Sequence, residues 1–116
     1  MNIQGEQFVA SGQKVVVYTV PSDRWLIMTE VFTDSDGNES RMGSAFDLVQ
    51  EDSTGNDTTK LALRFLRTLL SASAPERLST AVGLKFAPGT SVVLKNAPGA
   101  SGQTLGWNLI GYLARP

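Results

Sequence analysis

Residues 14–32 read KVVVYTVPSDRWLIMTEVF. Lys14 to Val20 is β-branched and apolar on both faces, as a central strand covered on each side would be. Pro21-Ser22-Asp23 then interrupts the run, with Pro21 where a type I turn uses its fixed φ. Beyond it, Trp25, Ile27, Thr29 and Val31 alternate with Leu26, Met28, Glu30 and Phe32, a period of two. Strand, tight turn and strand follow one another without a helical stripe. This is a β signature, and it sets the reading of the rest.

Working outward, the same punctuation recurs. Asp34-Ser35-Asp36-Gly37-Asn38, Ser53-Thr54-Gly55-Asn56-Asp57 and Ser71-Ala72-Ser73-Ala74-Pro75 read as loops, and Pro88-Gly89 and Pro98-Gly99 carry the type II turn signature. Between them lie Gln7 to Ala10, Ala45 to Gln50, Leu78 to Phe86, Ser91 to Asn96 and Leu105 to Ala114, all of strand length. Within the last, Leu105, Trp107, Leu109 and Leu113 share one face, with Asn108, Ile110, Tyr112 and Ala114 on the other. Lys60 to Leu70 fits two templates. As a strand it turns Leu61, Leu63 and Phe65 one way; as a helix it forms a stripe of Leu61, Ala62, Phe65, Leu66 and Leu69. The all-strand surroundings favour the strand. Eight short strands with no βαβ alternation predict an all-β chain, an antiparallel β-sandwich with the eight strands of a jelly roll.

At 116 residues and 12.4 kDa the chain has the length of one domain, 1–116. Hydrophobic residues make up 41% and charged residues 18%, enough to bury a core. Cys and His are both absent, which removes disulfides, thiolate or imidazole metal sites, and Ser-His or Cys-His nucleophile pairs. The N-terminal residues show neither a basic leader nor an apolar run of signal-peptide length. The longest apolar runs, Val15 to Tyr18 and Trp25 to Met28, are far below the ~20 residues of a membrane span, so a soluble protein is expected. Of the 11 acids, all but Glu76 lie in residues 1–58, whereas only Lys14, Arg24 and Arg41 of the 10 bases do. Either the two halves interleave and mix their charges on one surface, or copies dock acidic side to basic side.

Tyr18-Thr19-Val20-Pro21-Ser22-Asp23-Arg24-Trp25-Leu26-Ile27 resembles the strand, Val-Pro turn and strand that open many small jelly-roll modules. Leu84 to Leu94, and then Trp107 to Leu113, resemble their closing strands. Such modules are similar to phage capsid-decoration and fibre-head domains, and to single-domain bacterial surface proteins of C1q/TNF-like shape. The resemblance spans most of the chain and implies a non-catalytic, usually trimeric, structural or binding domain. Its implied partners are further copies of itself and capsid or fibre protein, in a virion or extracellular setting.

Candidate contact residues are Trp25, Arg64, Arg67, Trp107 and Tyr112, because aromatic and Arg side chains carry a disproportionate share of interface energy. Tyr18, Trp25, Trp107 and Tyr112 also permit a second class of function, a glycan platform on which sugar C–H faces stack. Asp34-Ser35-Asp36-Gly37-Asn38-Glu39 has oxygen ligands at alternating positions and a Gly for a sharp turn, so Asp34, Asp36 and Glu39 are candidate calcium ligands, against the plainer reading of a solvated turn. No other cofactor is suggested. Catalysis has little support, since the acids sit in turn-like stretches, and Gly99, Gly102 and Gly106 lack the Lys and helix of a phosphate loop. Lys60, Arg64 and Arg67 with Phe65 offer a weak nucleic-acid face, which the acidic first half opposes.

Overall fold

The computed structural model describes residues 1–35, 44–65, 76–96 and 102–116. Among them every regular element is a strand: β1 (Asn2–Val9), β2 (Lys14–Thr19), β3 (Trp25–Ser35), β4 (Ser44–Glu51), β5 (Asp57–Phe65), β6 (Glu76–Phe86), β7 (Ser91–Asn96) and β8 (Gln103–Ala114). They form two four-stranded antiparallel sheets, ordered β1-β8-β3-β6 and β2-β7-β4-β5. First pairs with last, β1 with β8, then β2 with β7, β3 with β6 and β4 with β5, so the chain behaves as one long hairpin rolled around a core. That is the jelly roll the turn spacing predicts. Among the described residues no helix is long and apolar enough to cross a membrane.

The core sits between the sheets. Leu26, Met28, Val31, Phe86, Leu105 and Leu109 from the first sheet meet Val15, Phe46, Leu48, Val92 and Leu94 from the second, all buried. Inner side chains of facing sheets interlock across about 10 Å, and this burial is the main source of stability in a chain without cysteine.

One end of the sandwich is tied by crossed turns. Thr90 N–H donates to Ala87 O (3.3 Å), and Gly89 has φ +76°, so Ala87-Pro88-Gly89-Thr90 is the expected type II turn. Val20 N–H donates to Thr90 O (2.8 Å), and Gly89 N–H points back at the Val20 and Pro21 carbonyls. The turn after β2 is displaced by one residue from its expected place. Arg24 N–H donates to Pro21 O (3.4 Å), which puts Pro21 first in the turn rather than second. Together these bonds fix where Trp25 enters β3.

Three strands differ from their sequence reading. β1 starts at Asn2, not Gln7, and pairs with β8 along its whole length; Ile3 and Gly5 are half-buried, Gln7 is exposed and only Val9 is buried, so the apolar alternation is faint. β2 is an edge strand rather than a central one. Val15 is buried and Val16 50% exposed by ordinary alternation, and a bulge then follows between Val16 and Tyr18. Lys60 to Leu70 is strand as far as Phe65, in a β5 that already begins at Asp57; residues 66–70 lie outside the described residues. So do most of the Asp34–Asn38 loop, the Ser71–Pro75 connector and the Pro98-Gly99 turn.

Candidate functional site

A bulge decides what the first sheet shows to solvent. The register of β3 slips between Met28 and Glu30 against both β6 and β8. Against β8 Thr29 is the extra residue, its hydroxyl donating to Ile110 O (3.3 Å), whereas against β6 the extra residues, 80–83, lie on β6. The alternation is thereby reset: Val31 turns into the core behind Leu26 and Met28, and Phe32 turns outward. A strict period of two would have placed Val31 beside Trp25 and Ile27, and Phe32 beside Leu26.

The outer face that results carries a band of large apolar side chains. Ile27 lies in register between Lys85 of β6 and Tyr112 of β8, followed by Glu30 beside Ile110 and Phe32 beside Asn108. Tyr112 is 53% exposed, Phe32 and Ile110 37% each, and Phe8 of β1 61%. Single exposed apolar residues are ordinary, but a run of them along one sheet marks a contact surface.

Two shallow clefts interrupt the band. The first, about 270 Å³, is lined by Glu30, Phe32, Asn108 and Ile110; Asn108 Oδ1 is buried there without a hydrogen-bond partner. The second, about 310 Å³, includes Trp25, Ile27, Lys85, Tyr112 and Arg115. Trp25 pairs with Ala114 and Ile27 with Tyr112, which makes the indole and the phenol diagonal neighbours on one surface.

The opposite outer face, on the β2-β7-β4-β5 sheet, is built differently. Lys14 Nζ bonds both oxygens of Glu51 (2.6 and 2.7 Å), and Lys95 Nζ bonds Asp57 Oδ2. Acids and bases from both halves of the sequence mix in this lattice. Val49 and Val93 alternate to the outer side of the same strands, yet stay 2% and 0% exposed, as the long stems of flanking Lys side chains allow. The Lys95 ammonium beside Asp57 holds its carboxyl below the usual carboxylate range, and Asp57 in return raises Lys95. Among the described residues, one face carries two cross-strand ion pairs, and the other carries the larger exposed apolar side chains.

The structure separates the residues singled out from sequence. Trp25 and Tyr112 meet in one cleft. Trp107 does not join them: it turns inward and packs against the core, as Tyr18 does. Arg64 belongs to β5 of the second sheet, with its backbone paired to Ala45, and so lies away from the aromatic face. Arg67 lies outside the described residues. Asp34 is the penultimate residue of β3, paired with Gly106, while Asp36 and Glu39 lie outside the described residues. Among the described residues no group of three or more acidic, His or Cys side chains comes together to hold a metal.

Sequence reasoning missed Lys85, Arg115, Phe32 and Ile110 as members of the site. Lys85 was findable, because it alternates against the inward Leu84 and Phe86. Phe32 was not, because the glycine that marks the slip, Gly83 (φ +82°), lies on β6, some fifty residues away in the chain. No protein-family model matches the chain, and no curated protein matches it.

Proposed function

We propose that this chain is a non-catalytic structural and interaction protein, which attaches to neighbouring protein subunits through the outer face of the β1-β8-β3-β6 sheet. The observation that supports this is the contrast between the faces: two ion pairs cross one, where Val16 is the exposed large apolar residue among those described, and Phe8, Phe32, Ile110 and Tyr112 stand exposed on the other. β3 is 11 residues long. At ~3.3 Å per residue and ~4.8 Å between strands, the four-stranded face measures about 36 by 19 Å. A corrugated surface of that footprint supplies roughly the 800 Å² per partner of an ordinary stable interface. The resemblance to capsid-decoration and fibre-head modules makes a virion accessory, assembled as a homotrimer, the most concrete form of the reading. Light scattering tests it. The expected mass is a multiple of 12.4 kDa for the wild type and a single chain for Phe32→Lys. A wild-type monomer at millimolar concentration, with no particle partner, overturns it.

A second reading, a carbohydrate-binding module, is favoured by one observation, the pairing of half-buried Trp25 with exposed Tyr112 in a cleft of single-ligand size.

A further inference from the structure

We infer that the cleft at the Trp25 end of this face takes a sugar bearing a carboxylate, a uronic or sialic acid type of ring, rather than a neutral one. The inference rests on the glycan reading just given, and deepens it by naming the ligand class.

The lining decides the chemistry. Ile27, 7% exposed, forms an apolar floor between Lys85 and Tyr112 in register. Trp25 stands diagonally from Tyr112, and Arg115 completes the rim. Two rings flanking an apolar floor suit the C–H faces of a pyranose, whose stacking is sequence-blind and weak without a polar anchor. Here the anchors are cations. Neither Lys85 nor Arg115 makes an ion pair among the described residues, whereas Lys14 and Lys95 on the other face are both paired. No side chain of the lining carries a carboxylate or a carboxamide, the usual side-chain acceptors for the hydroxyl hydrogens of a neutral sugar. A carboxylate on the ring would find two charge-assisted donors instead.

Size agrees with this. About 310 Å³ lies at the small end of the ~300–1,000 Å³ range of small-molecule sites, room for one substituted ring. The charge is also local: the whole chain is −1 at pH 7, so no general positive field would draw in polyanions. The lysine and arginine act at this spot and not across the surface.

The test is a titration of the full chain, followed by tryptophan fluorescence and by ligand-induced shift of the melting temperature. Probes are sodium D-glucuronate and a uronate tetrasaccharide, with D-glucose, sodium acetate and tetraglutamate as comparisons. Saturable binding of the uronates is expected, at least about tenfold tighter than glucose, which corresponds to one charge-assisted contact. Lys85→Gln and Arg115→Gln each weaken the uronates about tenfold and leave the melting temperature of the free protein unchanged. Trp25→Phe abolishes the fluorescence response while the melting shift survives in part. Equal affinity for glucose and glucuronate overturns the inference but leaves the glycan reading standing. Absence of any sugar response overturns both. Tetraglutamate matching the uronate tetrasaccharide also overturns it, since the site would then be one for acidic peptide.

Discussion

The indole of Trp107 lies against Gly5, its cross-strand partner in the β1–β8 ladder, so closely that a Cβ on Gly5 would stand 2.5 Å from Trp107 Cζ2. The missing side chain is the space the ring occupies on the inner side of the first sheet. Gly5→Ala therefore forces the indole or the strand to move, at about 1–3 kcal/mol for overpacking. The expected signs are a lower urea midpoint and a changed near-ultraviolet tryptophan spectrum. Gln4→Ala, one residue away on the outer side, should leave the midpoint within ~0.5 kcal/mol of wild type.

That pairing also shows where the sequence was readable. Turn chemistry and strand count were legible because Pro88-Gly89 and its relatives have few conformational options. The tertiary meaning of individual positions was not. In β8, Leu105 and Leu109 face the core while Ile110 and Tyr112 face solvent, yet both sets are apolar and local pattern cannot rank them. The choice is made by pairing with β1 and β3, contacts from opposite ends of the chain. In β3 the Thr29 bulge inverts the alternation midway, so Phe32 reads as core and stands outside. Trp107 was the reverse case. As a large aromatic near the chain end it looked as available as Tyr112, and only Gly5 across the ladder explains why it is sunk. Thus the fold was legible through its turns, while the candidate site depended on one bulge and one glycine whose effects fall on strands distant in sequence.

Asn96 closes the sandwich at the end of β7. It is 2% exposed, and its Nδ2 donates toward the carbonyls of Val9 (3.2 Å) and Ala10 (3.3 Å), while its backbone N–H donates to Gln13 O (2.8 Å). Asn96→Ala removes the side-chain donor from two buried or half-buried acceptors, and should cost about 1–3 kcal/mol. Asn96→Asp should cost more at neutral pH, because it sets a carboxylate against two carbonyl oxygens. Urea denaturation of both variants checks the order, and an Asp variant as stable as wild type would contradict the contact.

The ion-pair face sets the pH dependence. Asp57 is lowered chiefly by the hydrogen bond from Lys95; Asp52 is lowered first by the Thr54 hydroxyl, then by the Asn56 backbone N–H. Both folded-state values lie below 3.8, so each contribution is fully present above that ordinary value and is lost as pH falls through the depressed one. Lys95 is raised above 10.5, so its share persists below that value and is lost only as alkaline pH passes the raised one. Stability should form a plateau through neutral pH and fall on the acid side below about pH 4. Asp57→Asn should cost less than ~1 kcal/mol at pH 7, as an exposed pair does, and nothing at pH 2. Added 0.5 M salt should shrink the pH 7 difference.

Phe32 and Val16 form a matched test of the two faces. Both are partly exposed apolar residues on outer sides of the sandwich, Phe32 at 37% on the first sheet and Val16 at 50% on the second. Neither belongs to the buried core cluster, so a lysine at either place should cost no more than about 1 kcal/mol of stability, the span of strand propensities. Their effects on association should diverge. Phe32→Lys replaces an apolar contact with a hydrated charge in the cleft it shares with Glu30, Asn108 and Ile110, which docking would have to desolvate, and should return the assembly to single chains. Val16→Lys adds one more cation to a face already laced with Lys14 and Lys95, and should leave the mass unchanged. Light scattering of both variants at equal concentration reads the difference directly. If Val16→Lys dissociated the assembly and Phe32→Lys did not, the contact surface would lie on the charged sheet instead.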